Sequence, residues 1–217
     1  MPSLDAMIAV ALAGLALSAT PGPSMLYVLS RTVGQSRAAG LASALGLCLG
    51  GIVLAIATAL GLAAVFEKSD WLEVALRYIG SAYLIWLGAD MIRGAKAGAQ
   101  VTLDVEKVQH KSLSSIVWQG AFVELLNPKT VLFFALFLPP FINVGDTQAV
   151  ETSVTMQLLV LGALVPLTAI PSDLVVAYMG GTITKAMNRE REMREHLAWA
   201  GGLILIGIAL NLHLHIL

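Results

Sequence analysis

The stretch Ala19-Thr20-Pro21-Gly22-Pro23 lies inside a run, 6–30, that contains no charged side chain. Each proline removes a backbone hydrogen-bond donor and clashes with the preceding helical turn, and the glycine adds conformational freedom. Hydrocarbon supplies no water to unpaired backbone groups, so such a break lasts in a membrane only inside protein or beside a wet cavity. The alternative is an ordinary helix end, with Pro23 opening a second helix. We favour a broken membrane span, because residues 25–29 continue the apolar run.

A second break of the same kind lies in another apolar segment. Asn127-Pro128-Lys129 separates residues 121–123 from the apolar run 131–137. Interrupted segments at corresponding positions of two halves are the best indication, from sequence, of a transporter's binding site. The two breaks together therefore predict a membrane transporter with a central site.

The composition is that of a membrane protein. Of 217 residues, 57% are hydrophobic and 12% are charged, whereas an ordinary soluble domain has about 25% charged residues. The expected partner is the lipid bilayer, and the net charge of −1 gives no reason to expect nucleic acid. The first residues lack the basic region of a secretory signal, so we expect the first apolar run to be retained. Cys48 is the only cysteine, which excludes an internal disulfide and a CxxC redox centre.

Six segments are long and apolar enough to cross a bilayer, which takes about 20 residues of helix. They cover residues 4–29, 38–66, 71–92, 116–141, 153–181 and 197–217. We predict a single transporter domain over 1–217, with one half at 1–92, a cytoplasmic loop at 93–115 and a second half at 116–217. The predicted fold is an all-α membrane protein of six transmembrane helices in a 3+3 inverted repeat. Helices 1 and 4 open the two halves and are broken at Pro-Gly-Pro and Asn-Pro-Lys.

The distribution of basic residues predicts the orientation of these helices. Loops two and four carry only Lys68. Loops one, three and five carry Arg31, Arg37, Arg93, Lys96, Lys107, Lys111, Lys185, Arg189, Arg191 and Arg194. Short loops rich in Lys and Arg stay in the cytoplasm, so both termini are predicted to lie outside it.

The second span carries a stripe of small residues. Ala38, Ala42, Gly46 and Gly50 recur every four residues and therefore lie on one face of a helix. Small side chains at this spacing let two helix backbones approach closely. The partner is either another helix of the same chain, which we favour, or the same helix of a second subunit, which would make a homodimer.

Four charged residues lie well inside the predicted spans: Arg77, Glu124, Lys129 and Asp173. Near the centre of a membrane helix each costs roughly 2.5–3.5 kcal/mol on the insertion scale, so such residues face the protein interior or water. Arg77 is close enough to one surface for its long side chain to reach the interface. Counting about 1.5 Å per residue places Glu124, Asp173 and the first break in the same half of the membrane, with Lys129 near the midplane. We expect Glu124, Asp173 and the first break to share one cavity, with Lys129 above them.

Two interpretations of the three inner charges stay open. In the structural one, Lys129 pairs with one acid and burial keeps the other acid neutral. In the functional one, which we favour, a carboxyl group carries a proton and, as an anion, holds an ammonium group. The broken helices add unpaired N–H groups after Pro23, which suit a carboxylate, and unpaired carbonyls before Pro21 and Pro128, which suit an ammonium. Together these groups suit a zwitterion.

The same elements resemble the LysE/RhtB family of bacterial amino-acid exporters. The likeness covers nearly the whole chain: Pro21-Gly22-Pro23 in the first span, Ala-Tyr-Leu-Ile-Trp-Leu-Gly at 82–88 in the third, and Leu126-Asn127-Pro128-Lys129 before an aromatic-rich run in the fourth. Asp173 matches an acid in the family's fifth span. A Pro-Gly-Pro motif alone is weak evidence, but these elements in this order, with six spans in 217 residues, are specific.

The resemblance implies export of amino acids or their derivatives from the cytoplasm, across the bacterial inner (plasma) membrane, in exchange for protons. No cofactor is expected. The candidate residues for binding the substrate or coupling its transport are Pro21, Gly22, Pro23, Glu124, Asn127, Pro128, Lys129 and Asp173. Glu124 departs from the family pattern, because members often carry a neutral Asn there. The additional acid either shifts preference toward a cationic substrate or pairs with Lys129.

Other classes of function have less support in the sequence. A metalloenzyme needs several ligands in one place, and the four histidines lie near predicted loops or helix ends. An ATP-driven pump is excluded, because the sequence has no phosphate-binding loop. We therefore predict that the protein is not an enzyme. The remaining alternative is an exporter of a metal or other small cation, with Glu124 and Asp173 as oxygen ligands.

Overall fold

The computed structural model describes residues 1–20, 22–66, 70–100, 108–142, 150–189 and 191–214. Pro21, one of the predicted site residues, lies outside the described residues, as do the loop cations Lys68 and Lys107 and the side chain of Arg77. Over the described residues the chain is helical, with no β-strand. The predicted all-α class is confirmed for this part of the chain.

Eight α-helices follow one another in the described ranges. They are α1 (Leu4–Ala19), α2 (Pro23–Gly34), α3 (Arg37–Phe66), α4 (Asp70–Gln100), α5 (Leu113–Leu125), α6 (Pro128–Leu132), α7 (Val150–Arg189) and α8 (Arg191–Leu214). A π-helical turn (Phe133–Phe137) and a 3-10 turn (Pro139–Phe141) continue from α6.

Local chemistry sets where several helices begin. The side chains of Ser3 and Ser112 accept hydrogen bonds from the backbone amides of Ala6 and Ser115 and cap α1 and α5. Asn127 caps α6 in the same way. Proline occupies the first turn of α2 and of α6, where its missing N–H would have no helical partner. The helix starts therefore follow from the sequence.

Two pairs of helices are sharply bent at the predicted breaks. The bend is 52° between α1 and α2, and 50° between α5 and the helical segment Pro128–Phe141. Within the described residues, Arg37–Leu62 and Val154–Gly180 are each long and apolar enough to cross a membrane. Counting each bent pair as one span raises the number to four. The six-span arrangement remains a prediction.

Two helices run beyond their predicted spans. α4 continues to Gln100 and α7 to Arg189, past the predicted ends at 92 and 181. Ala, Lys, Arg and Met are good helix formers, so the polar residues after each apolar run extend the helix instead of ending it. α7 also continues through Pro166 and Pro171.

The long helices pack as pairs around a buried aromatic cluster. α3 packs against α5 and α7, α4 packs against α8, and α1 contacts both α7 and α8. The rings of Phe133 and Phe137 are stacked with centroids 4.3 Å apart, and the ring of Phe141 is tilted against that of Phe137 at 4.8 Å. The outer face of α3, in contrast, exposes Leu45, Leu49, Ile52, Val53, Ile56 and Leu60. An apolar face of this length is unusual in a soluble monomer and suits contact with lipid.

Two members of the small-residue stripe, Gly46 and Gly50, bring α3 against α5 of the same chain. A Cβ atom on Gly46 would meet the carbonyl oxygen of Val117. One on Gly50 would lie 2.6 Å from the carbonyl oxygen of Ala121 and 2.9 Å from the Cβ of Glu124. The first of the two predicted alternatives, an intramolecular partner, is therefore the observed one. Because α5 covers these glycines, they are not available to a second subunit.

Candidate functional site

A cavity lies where the two bent helix pairs meet. Six of the eight predicted site residues line it: Gly22, Pro23, Glu124, Asn127, Lys129 and Asp173. Its volume, measured as the space open to the centres of water molecules, is about 60 Å³. Of the other two, Pro128 lines an adjoining cavity and Pro21 lies outside the described residues. Glu124 and Asp173 thus share a cavity with the first break, as expected, whereas Lys129, which was expected above them, lines the same cavity.

Glu124 is held by a hydrogen-bonded group that joins α2 to α5 and α6. Ser24 Oγ donates to Glu124 Oε2 at 2.5 Å, and Asn127 Nδ2 donates to Ser24 Oγ at 3.0 Å. Thr130 lines the same cavity beside this group. Ser24 and Thr130 were not among the predicted residues, although each follows a break directly. Their closeness to the prolines is the signal that would have indicated them.

Asn127 has two roles in this group. Its Oδ1 accepts the backbone N–H of Lys129 at 3.1 Å and so caps α6. Its Nδ2 reaches α2 through Ser24. Asn127 is buried, and with both ends of its amide bonded it fixes the second break against the first.

Lys129 is tied to the end of α1. Its Nζ donates to the carbonyl oxygen of Leu17 at 3.3 Å. No hydrogen bond joins Lys129 to Glu124 or Asp173 in the described part of the chain, although Glu124 is near enough to attract its charge. The structural interpretation expected Lys129 to pair with one of the two acids. The observed hydrogen bond of its ammonium group is instead to the carbonyl oxygen of Leu17, near the first break.

Asp173 is the acid in the cavity without a hydrogen-bond partner among the described residues. It is 9% exposed and lies on α7, two residues after Pro171. Glu124 is close enough for the two carboxyl groups to repel each other when both are charged. Transfer of an unpaired carboxylate from water into a protein interior is costly. Asp173 therefore favours either a proton or a cationic group beside it.

The first break adds backbone groups to the same space. No side chain caps the start of α2 at Gly22, and the first amides of a helix suit an anion. At the end of α1, the carbonyl oxygen of Ala16 accepts a hydrogen bond from the hydroxyl of Thr20. The carbonyl oxygen of Leu17 accepts one from the ammonium group of Lys129. The cavity thus offers donors for a carboxylate and acceptors for an ammonium within a few residues of each other.

A larger cavity adjoins the first. Its volume, on the same measure, is about 420 Å³. It lies between the first break, α4 and α6, and includes Tyr83, Trp86 and Asp90. Thr20, Gly22, Pro23 and Lys129 line both cavities. The first break and Lys129 are therefore the wall between them.

Arg31 was predicted to be a loop cation, but it lies inside α2 and is buried. Nη1 donates to the carbonyl oxygen of Gln109 at 2.8 Å, and Nη2 donates to Oε1 of Gln119 at 3.1 Å. The guanidinium group also lies over the ring of Tyr27. Because α2 continues past the apolar run, Arg31 lies near the C-terminal end of α2. There it connects this helix to α5 and to the segment before α5.

The described residues give little support to a metal centre. No group of three or more His, Cys, Asp or Glu side chains in those ranges is arranged to hold a metal ion. Cys48, Glu124 and Asp173 line the same cavity without forming such a group. The arrangement is better suited to an organic zwitterion.

Comparison with known proteins gives one family and several bacterial relatives. The model of the family described as LysE type translocator matches residues 15–215. The threonine efflux protein of Escherichia coli K12 is 30% identical over 142 residues, which cover 64% of this chain and 69% of the relative. The leucine efflux protein of Enterobacter sp. strain 638 is 27% identical over 199 residues, or 88% of this chain and 87% of the relative.

One further relative is covered only in part. An uncharacterised membrane protein of Pseudomonas aeruginosa is 34% identical over 134 residues, so the match spans 58% of either chain. No solved structure matches this chain.

Proposed function

We propose that this chain, which belongs to the LysE type translocator family, exports amino acids or their derivatives from the cytoplasm in exchange for protons. The family consists of transporters, which fits the prediction that the protein is not an enzyme. The observation that carries the proposal is the cavity at the junction of the two bends. It brings Asp173, Glu124 and Lys129 together with the end of α1 and the uncapped start of α2.

The site residues divide into groups that bind a zwitterion and groups that hold the breaks in place. The start of α2 and Lys129 suit the substrate's carboxylate, and Asp173 and the last carbonyls of α1 suit its ammonium. Pro21, Gly22, Pro23 and Pro128 keep the helices interrupted, so that these backbone groups stay available. Glu124 and Asn127 join the two breaks through Ser24.

Asp173 is the proposed proton carrier. A carboxyl group that is buried and has no hydrogen-bond partner in the described ranges is more stable neutral than charged. An ammonium group that enters the cavity stabilises the anion, so arrival of the substrate favours release of the proton. Substrate and proton would then occupy Asp173 in turn, which is the requirement for exchange.

The proposed architecture is the predicted 3+3 inverted repeat of six spans, with helices 1 and 4 broken and both termini outside the cytoplasm. The two bends of 52° and 50° support it, because each lies in the opening helix of a half. A homodimer remains a proposal, and Gly46 and Gly50 of α3 do not supply its interface, because α5 covers them. The alternative function, export of a metal or other small cation, is less favoured, since two of the relatives are named threonine and leucine efflux proteins.

Inside-out membrane vesicles provide the test of this function. Export appears there as uptake, and we expect uptake of at least one group of labelled amino acids when the vesicle interior is acidic. A protonophore should abolish it, and vesicles without the protein should show none. If no amino acid is taken up but a metal ion is, the cation exporter is the correct function. If uptake is the same with and without the proton gradient, the exchange mechanism is wrong.

Substitution of Glu124 by Gln tests whether this acid selects cationic substrates. The amide keeps the size of the side chain and a hydrogen bond to Ser24, but it removes the charge. If the charge contributes to recognition, uptake of lysine and arginine relative to neutral amino acids should fall roughly tenfold, the equivalent of one hydrogen bond to a charged group. Asp5→Asn, at an exposed position of α1, is the control. An unchanged ratio of cationic to neutral amino-acid uptake would mean that Glu124 joins the two breaks and does not select the substrate.

A further inference from the structure

The two adjoining cavities differ in size and chemistry. The first cavity offers the centres of water molecules about 60 Å³, which is room for only a few waters. That suffices for an ammonium and a carboxylate group, but not for a large side chain as well. The second cavity, with about 420 Å³, is large enough for one.

The lining of the larger cavity suits an apolar or aromatic group. Tyr83, Trp86, Leu87, Met91 and Leu132 contribute rings and aliphatic side chains. The rings of Tyr83 and Trp86 are stacked with centroids 5.9 Å apart. A largely apolar pocket with a few placed polar groups is the usual form of a small-molecule site.

The polar groups of the larger cavity lie at the wall shared with the first. Lys129 lies there, between Glu124 on one side and Asp90 on the other, and the charges of both acids attract it. Tyr83 donates from its hydroxyl to the carbonyl oxygen of Lys129 at 3.3 Å. One aromatic wall of the second cavity is thus hydrogen-bonded to the residue that borders the first.

We propose that the transported amino acid lies across this wall, with its ammonium and carboxylate groups in the first cavity and its side chain in the second. The site would then select amino acids with bulky apolar or aromatic side chains over small ones. This inference rests on the proposed export function and adds the substrate class to it. The hydrophobic gain is about 25 cal/mol for each Å² of apolar surface removed from water, so larger side chains should bind more tightly.

Gly94 offers a way to fill the second cavity without disturbing the packing. It lines that cavity, and a Cβ atom there would meet nothing within 4 Å. A phenylalanine at this position can therefore occupy the space meant for the substrate's side chain. Gly61 is the matched control: it lies in α3, a Cβ atom there would also meet nothing within 4 Å, and it lines neither cavity.

The experiment compares uptake of labelled phenylalanine and alanine into inside-out vesicles that contain the wild type, Gly94→Phe or Gly61→Phe. We expect Gly94→Phe to lower the ratio of phenylalanine to alanine uptake roughly tenfold or more, as expected for loss of a hydrophobic subsite. Gly61→Phe should keep the wild-type ratio. An unchanged ratio in Gly94→Phe, or an equal fall for both amino acids with the wild-type amount of folded protein, would overturn the inference.

A second substitution keeps the test decisive if Gly94→Phe does not fold. Trp86→Ala should also lower the phenylalanine-to-alanine ratio, and Trp86→Phe should restore most of it, because an aromatic wall is kept. If Trp86→Ala leaves the ratio unchanged, the inference fails while the export function stands. If the wild type takes up neither these nor any other amino acid, the export function fails and the inference falls with it.

Discussion

Replacement of Asp173 by Asn is expected to lower proton-driven amino-acid export by about 100-fold or more, the lower end of what a positioned proton-transfer group contributes. The amide has nearly the same shape, but it neither carries a proton between the two sides nor balances an ammonium group. Asp173 is almost fully buried and lines the cavity between the two bends. Uptake into inside-out vesicles, driven by an acidic interior, is the measurement.

The same substitution should leave the fold intact, which separates function from stability. No hydrogen bond to the Asp173 side chain is lost, since the described residues provide none. The amount of protein that elutes as a single species in mild detergent should therefore match the wild type. Glu192→Gln, an exposed acid on α8, is the control for loss of a charge. Wild-type export by Asp173→Asn, or a loss explained by less folded protein, would contradict the assigned role.

Replacement of Gly46 by Leu is expected to destabilise the protein by at least about 1–3 kcal/mol, the usual range for overpacking. A side chain on Gly46 would meet the Val117 carbonyl oxygen and lie 3.0 Å from the Cα of Gly120. Both contacts are with the backbone of α5, which cannot move aside as a flexible side chain would. The helices must separate, and the packing around Glu124 is lost with them. The thermal midpoint in detergent and the yield of folded protein measure this effect.

The control for Gly46 lies in the same helix. Gly61→Leu introduces the same side chain where the added Cβ has no neighbour within 4 Å, and it replaces a weak helix former by a strong one. We expect its thermal midpoint to equal or exceed that of the wild type. If Gly46→Leu is as stable as Gly61→Leu, the close approach of α3 and α5 is not required for folding.

The main features of this molecule could be predicted from local chemistry. Low charge content and long apolar runs predicted a helical membrane protein, and proline chemistry predicted interruptions near residues 21 and 128. Simple depth counting placed Glu124 and Asp173 beside the first break, and both line one cavity with Gly22 and Pro23. The resemblance to the LysE/RhtB family is confirmed by the family model. Each of these predictions depends on residue type and on position along one helix axis.

The sequence alone thus determined which segments are apolar, where the helices are interrupted and roughly how deep each charge lies. The tertiary structure alone decided which groups meet: Ser24 with Glu124, Lys129 with the carbonyl of Leu17, and buried Arg31 with Gln109 and Gln119. It also decided that the space beside the first break is two cavities with Lys129 between them. The reason is that hydropathy and proline act locally, whereas a hydrogen bond between helices depends on their rotation and separation. This rotation and separation are set by contacts between residues far apart in the chain, such as those of Gly46 and Gly50 in α3 with the backbone of α5.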